Sequence, residues 1–106
     1  MKKFLLLLIL LSSYISFSQY NIATENGNTI NTCSGTFVDS GGTTGDYSNS
    51  ETYTVTFCST TPGQTIQLDF SSFDTESIDD FRVYDGNSTG ALLIVEYNGT
   101  ILPATV

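Results

Sequence analysis

The chain has 106 residues, with eleven Asp and Glu against three Lys and Arg, and no His. The lack of imidazole excludes every hydrolytic triad or zinc site that depends on it. Two of the three cations, Lys2 and Lys3, precede an apolar run from Phe4 to Leu11, with small residues following at Ser16 and Ser18. This layout predicts a secretory signal peptide over residues 1–18. The run is shorter than the roughly 20 apolar residues needed to cross a bilayer, so no membrane span is expected in the mature chain. Removing residues 1–18 leaves 88 residues, in which eleven acids face Arg82 alone, for a charge of −10. A body with one cation cannot release counterions from a phosphate backbone, which excludes nucleic acid as a partner. The expected location is outside the cell or at its surface.

In chain order, residues 19–32 are polar, with Glu25-Asn26-Gly27-Asn28 reading as a turn, and predict a linker or loosely attached lead-in strand. From Cys33 onward strands alternate with turns, and the mature segment carries 25 Ser and Thr, which suit β ladders and disfavour helix. The cluster Gly41 to Asp46 is a turn. In Glu51 to Cys58, Tyr53, Val55 and Phe57 alternate with threonines, and in Thr65 to Phe70, Ile66, Leu68 and Phe70 alternate with polar residues. Thr61-Pro62-Gly63-Gln64 separates those two strands. Phe81 and Val83 alternate with Arg82 and Tyr84, and Asp85-Gly86-Asn87-Ser88 forms the next turn. The run Leu92 to Val95 is continuously apolar, which predicts a strand covered on both faces. Short strands at this spacing predict an all-β sandwich.

Cys33 and Cys58 are the only cysteines. An even count in an exported chain reads as a disulfide, because that compartment is oxidising. The spacing is far from C-x-x-C, and no second pair exists to complete a zinc shell. A chain near the limit of roughly 70–80 residues benefits from such a staple, which contributes roughly 3 kcal/mol for a loop of this length.

Phe73 to Phe81 joins two strands and holds Asp74, Glu76, Asp79 and Asp80. Crowded carboxylates repel one another unless neutralised. Outside the cell calcium is the natural counter-ion, since it takes six to eight hard oxygen ligands in flexible geometry. The spacing does not match an EF-hand loop, so a solvated acidic loop is the competing reading. Acid and base pairs for glycoside cleavage exist on paper among Asp69, Asp74, Glu76, Asp79, Asp80 and Asp85, but Asp at strand ends usually forms turns. The serines have no base partner, and no catalytic residue is expected. Asn87-Ser88-Thr89 and Asn98-Gly99-Thr100 match the glycosylation acceptor pattern. Tyr47, Tyr84 and Tyr97 are candidates for a binding surface or for half-buried sheet packing.

The stretch Phe70-Ser71-Ser72-Phe73-Asp74-Thr75-Glu76, followed by Asp79-Asp80-Phe81-Arg82-Val83-Tyr84-Asp85-Gly86, resembles the central signature of CUB domains. Cys33 with Ser34-Gly35, Tyr47-Ser48-Asn49 and Cys58 are similar to the family's first cysteine pair and its intervening turn. The resemblance covers Cys33 to about Val106, after the 19–32 lead-in. It implies a jelly-roll-like β-sandwich of two antiparallel sheets, acting as a secreted, non-enzymatic recognition or adhesion module for an extracellular protein or carbohydrate. It also implies calcium held by Glu76 and Asp79, with Asp80 or Asp74 substituting for a missing Asp. The loop between Glu76 and Asp79 is short and lacks the family's third cysteine. The domain is expected to be incomplete at its C-terminal end, as a piece of a longer secreted protein. Two further readings are an accessory domain of a secreted protease or glycosidase whose catalytic part lies outside this chain, and a structural domain in a cell-surface array.

Overall fold

A computed structural model describes residues 18–106; the signal peptide expected over residues 1–18 lies outside the described residues but for Ser18. Six strands and no helix make the described body all-β: β1 (Gln19–Asn21), β2 (Thr29–Thr32), β3 (Thr36–Val38), β4 (Thr56–Ser59), β5 (Phe81–Asp85) and β6 (Leu92–Tyr97). They form three two-stranded sheets, pairing β1 with β3, β2 with β4, and β5 with β6. The first two pairs are parallel and the third is antiparallel. Antiparallel pairing, expected throughout, is therefore confined to β5–β6 among the described strands.

The polar lead-in 19–32 carries β1 and β2, each hydrogen-bonded to a later strand. Its turn explains the attachment. Asn21 Oδ1 accepts the Ala23 N–H at 2.9 Å, and the Glu25 N–H reaches the Asn21 carbonyl at 3.0 Å. Gly27, at φ +80°, then donates its N–H to the Thr54 carbonyl at 2.7 Å, while Asn26 Oδ1 accepts the Thr54 N–H at 2.9 Å. Thr54 is thus held from both sides, and the β2–β4 ladder starts directly beyond it with Thr56 N–H on the Asn28 carbonyl at 3.0 Å. A period-two hydrophobicity scan cannot find this segment, because its attachment is made by backbone and Asn side chains.

The alternation read in 51–58 and 65–70 survives as burial more than as ladder. Tyr53, Val55 and Phe57 are half-buried while Thr52 and Thr54 are exposed, yet the strand is assigned only from Thr56. Ile66, Leu68 and Phe70 are likewise half-buried between exposed Thr65, Gln67 and Asp69. In that segment Leu68 exchanges both backbone hydrogen bonds with Val106, at 2.9 and 3.0 Å.

No described residue is fully buried. The apolar interior is instead a connected series of half-buried rings. Tyr20 of β1 meets Phe57 of β4 at 5.5 Å, Phe57 meets Phe37 of β3 at 5.6 Å, and Phe37 meets Phe81 of β5 at 6.4 Å. Phe81 then joins a cluster with Phe70, Phe73 and Tyr97 of β6, mostly edge to face at 5.7–6.3 Å. The Leu92–Val95 run departs from the expected double cover: Leu92 is 74%, Leu93 43% and Ile94 52% exposed. A continuous apolar run marks a strand buried on both faces only where a layer lies on each side, and β6 has the aromatic cluster against its Tyr97 end alone.

Phe37 is the ring through which β1, β3 and β4 meet the β5–β6 hairpin. Phe37→Ala is expected to lower unfolding stability by roughly 2–3 kcal/mol, below the usual Phe core truncation because the ring is half-buried. A urea melt checks this. A double-mutant cycle with Phe81→Ala should return a coupling of about 0.5–1.5 kcal/mol, the worth of an aromatic pair beyond its area.

Candidate functional site: the acidic loop and Tyr47

The loop from Phe73 to Phe81 starts and ends on rings 6.1 Å apart, so its base is closed by the aromatic cluster. Thr75 fixes its first half. The Thr75 N–H donates to the Gly99 carbonyl at 2.9 Å, and the Gly99 N–H donates to Thr75 Oγ1 at 2.8 Å, tying the loop to the turn after β6. The second half is a tight turn in which the Asp79 N–H reaches the Glu76 carbonyl at 3.0 Å.

Tyr47 bridges that turn. Its hydroxyl donates to Asp79 Oδ2 at 2.6 Å and accepts the Glu76 N–H at 2.9 Å. Donation to the Asp79 carboxylate raises the Tyr47 pKa above its ordinary 10.0, since ionisation would lose that bond and set two anions side by side. Tyr47 is presented by a short turn that Ser40 braces: Ser40 Oγ donates to Glu51 Oε2 at 2.6 Å and accepts the Ser48 N–H at 3.3 Å. Within this turn Ser50 sits at φ +60°, the one non-glycine residue in the left-handed region among those described. Such backbone costs of order 1–3 kcal/mol and persists where its surroundings hold it.

The remaining carboxylates divide into two groups. Asp80 accepts from Arg82 at 2.6 Å and from Asn98 Nδ2 at 3.2 Å, and Arg82 also reaches Glu96 at 2.6 Å. Glu96 first, then Asp80, holds the guanidinium pKa above its ordinary value. Arg82 therefore neutralises the outer side of the loop. Among the described residues Asp46, Asp74 and Glu76 have no such cation, and with Tyr47, Asn49 and Thr75 they line an open cleft of about 230 Å³.

Of the residues expected to take part, Glu76 and Asp79 are brought together by Tyr47, Asp74 lines the cleft, and Asp80 is drawn off by Arg82. Asp46 and Asn49 are additional, and the Tyr47-Ser48-Asn49 similarity was the available signal for their turn. Tyr97 packs in the aromatic cluster. Among the described residues no three acidic, His or Cys side chains converge on a metal position. The donors are hard oxygens of the kind calcium takes, but their spacing does not make a calcium shell. Asp69, just before this loop in the chain, accepts from Thr105 and Gln67, and these bonds lower its pKa. That shift is opposite to what a general acid at neutral pH requires. Cys33, exposed just beyond β2, and half-buried Cys58, opposite Asn31 in the β2–β4 ladder, are not bonded to each other in this structure, so the expected disulfide is not shown. No family model, curated protein or solved structure matches the chain.

Because the folded pKa of Tyr47 lies above its unfolded value, the bridge contributes its full stability below pH 10 and loses it as pH rises through the folded pKa. Spectrophotometric titration of the tyrosines should therefore show one phenol titrating above the others. Asp79→Ala should return that phenol to the ordinary range; an unchanged profile means the bridge is absent in solution.

Proposed function

We propose that this chain is a secreted, non-enzymatic recognition module with a CUB-like sandwich architecture, and that it binds an extracellular protein or glycan through the Tyr47-bridged acidic cleft. The observation that carries the reading is the Tyr47 hydroxyl held between Glu76 and Asp79. It joins two loops 32 positions apart in the chain and fixes them with Asp46, Asp74 and Glu76 lining one cleft. Three carboxylates without a counter-charge select a cationic partner group by electrostatic complementarity. On a protein this is a Lys or Arg side chain, with Tyr47 and Asn49 supplying contact and hydrogen bonds. Calcium assistance is the second part of the reading: Glu76 and Asp79 would supply two carboxylates to an ion and hold it only weakly, since no third acid converges with them among the described residues. Extracellular modules bind calcium at roughly 0.1–1 mM, so weak retention is compatible with use outside the cell.

Calorimetric titration separates the parts. Wild type is expected to give heat with calcium near about 1 mM, and Asp79→Ala to give none. Equal heats for the two proteins, with unchanged melting temperatures, would remove calcium from the reading. Binding to an array of extracellular proteins and glycans should be lost on Asp74→Asn and Glu76→Gln and should weaken with added salt, as expected for a screened charge contact.

The secreted reading also includes a Cys33–Cys58 bond formed in the oxidising compartment. Thiol labelling of exported protein, denatured without reductant, is expected to find no reactive cysteine. Two labelled thiols would remove the bond.

A further inference from the structure

We propose that β6 is a self-pairing edge: two copies of the chain join through it, antiparallel about a twofold axis at Leu93–Ile94, into one four-stranded sheet. This rests on β6 alone and is independent of the cleft. β6 has a single partner, β5, and among the described residues its backbone makes no hydrogen bond outside that ladder. Its successive residues Leu92, Leu93 and Ile94 are all exposed, so both faces of the strand meet water. The register runs Val83 with Val95 and then Tyr84 with Leu93, which leaves Ile94 as the bulged residue without a β5 partner.

Edge strands are normally guarded by Lys, Pro, an inward charge or a bulge. Here the bulge at Ile94 is the one guard, for Gly90-Ala91-Leu92-Leu93-Ile94-Val95 has no Lys, Pro or charge. In a chain of formal charge −8 these six uncharged residues, apolar from Ala91 to Val95, give a stretch where two copies can meet without opposing like charges. Charge also selects the orientation. Antiparallel pairing about Leu93–Ile94 sets Glu96 opposite Ala91 or Leu92 of the second copy, whereas in-register parallel pairing stacks Glu96 on Glu96, which is destabilising. A twofold contact of this kind is self-complementary and closes at two copies. The other acids lie off the strand, where physiological salt screens them over about 8 Å.

Sedimentation equilibrium of the purified full chain, under reductant to remove any intermolecular disulfide, is the test. Wild type is expected to be a dimer that tightens as salt is added. Leu92→Lys and Ile94→Lys should each weaken it about tenfold or more, while Ile101→Lys, at an isoleucine 85% exposed outside β6, should leave it unchanged. In a mixture of isotope-labelled and unlabelled chains, intermolecular contacts between Ala91 or Leu92 and Glu96 should appear, which needs no variant. A monomer, a dimer indifferent to both β6 variants, open-ended aggregation without a dimer plateau, or weakening by salt would each overturn the proposal.

Discussion

Everything in this molecule depends on a line of aromatic contacts. Each sheet has only two strands, and an isolated two-stranded unit is at best marginally stable in water. What joins the three units is the sequence of rings Tyr20, Phe57, Phe37, Phe81 and then Phe70, Phe73 and Tyr97. Aromatic side chains suit this task because each covers a large area while losing few rotamers, and edge-to-face packing adds a directional preference. The arrangement remains half-buried throughout. Stability is therefore distributed over these contacts: two rings, Tyr20 and Phe37, join the β1–β3 sheet to Phe57 of β4, while among the described residues Phe37–Phe81 is the single ring contact from these sheets to the β5–β6 hairpin.

A second constraint is the near absence of cations. Among the described residues Arg82 is the only Lys or Arg, and it is shared between Asp80 and Glu96. The acidic loop must satisfy its other carboxylates by hydrogen bonding, and Tyr47 does this for Asp79 while also binding the Glu76 N–H. A phenol suits this position better than a cation would. It holds the turn without cancelling the negative charge of the cleft, and so leaves Asp46, Asp74 and Glu76 able to attract a positive group.

The sequence made some of this legible and concealed the rest for identifiable reasons. Period-two patterns located β5 and placed Ile66, Leu68 and Phe70 on one side of their segment, because side-chain alternation is intrinsic to extended backbone, while β6 was located by its continuous apolar run. For residues 19–32 the sequence offered a linker or a loosely attached lead-in strand, and the structure has two strands there, β1 and β2, attached through Asn21, Asn26, the left-handed Gly27 and the Tyr20 ring. Burial of Leu92 to Val95 was misread because an apolar run reports what a strand can bury and says nothing of whether a layer lies over it. At the site, the clustering of Asp74, Glu76, Asp79 and Asp80 was evident from spacing. Their division was not: it depends on Arg82 and Tyr47, and the Tyr47–Asp79 contact spans 32 positions.

The aromatic line and the acidic loop are also one mechanical unit. Phe73 precedes Asp74 and Phe81 follows Asp80, so the residues that close the loop are members of the cluster that joins the sheets. Thr75 adds a second tether, to Gly99 in the turn following β6. A cation drawn into the cleft reduces repulsion among Asp46, Asp74 and Glu76, and so favours the geometry in which Tyr47 spans the turn. Since that geometry needs Phe73 and Phe81 in contact, binding at the loop and cohesion of the sheets stabilise each other. By linkage, a ligand that prefers the assembled form raises the stability of the whole body. In a body with no fully buried described residue, a contribution of that kind would weigh more than in one with a packed core.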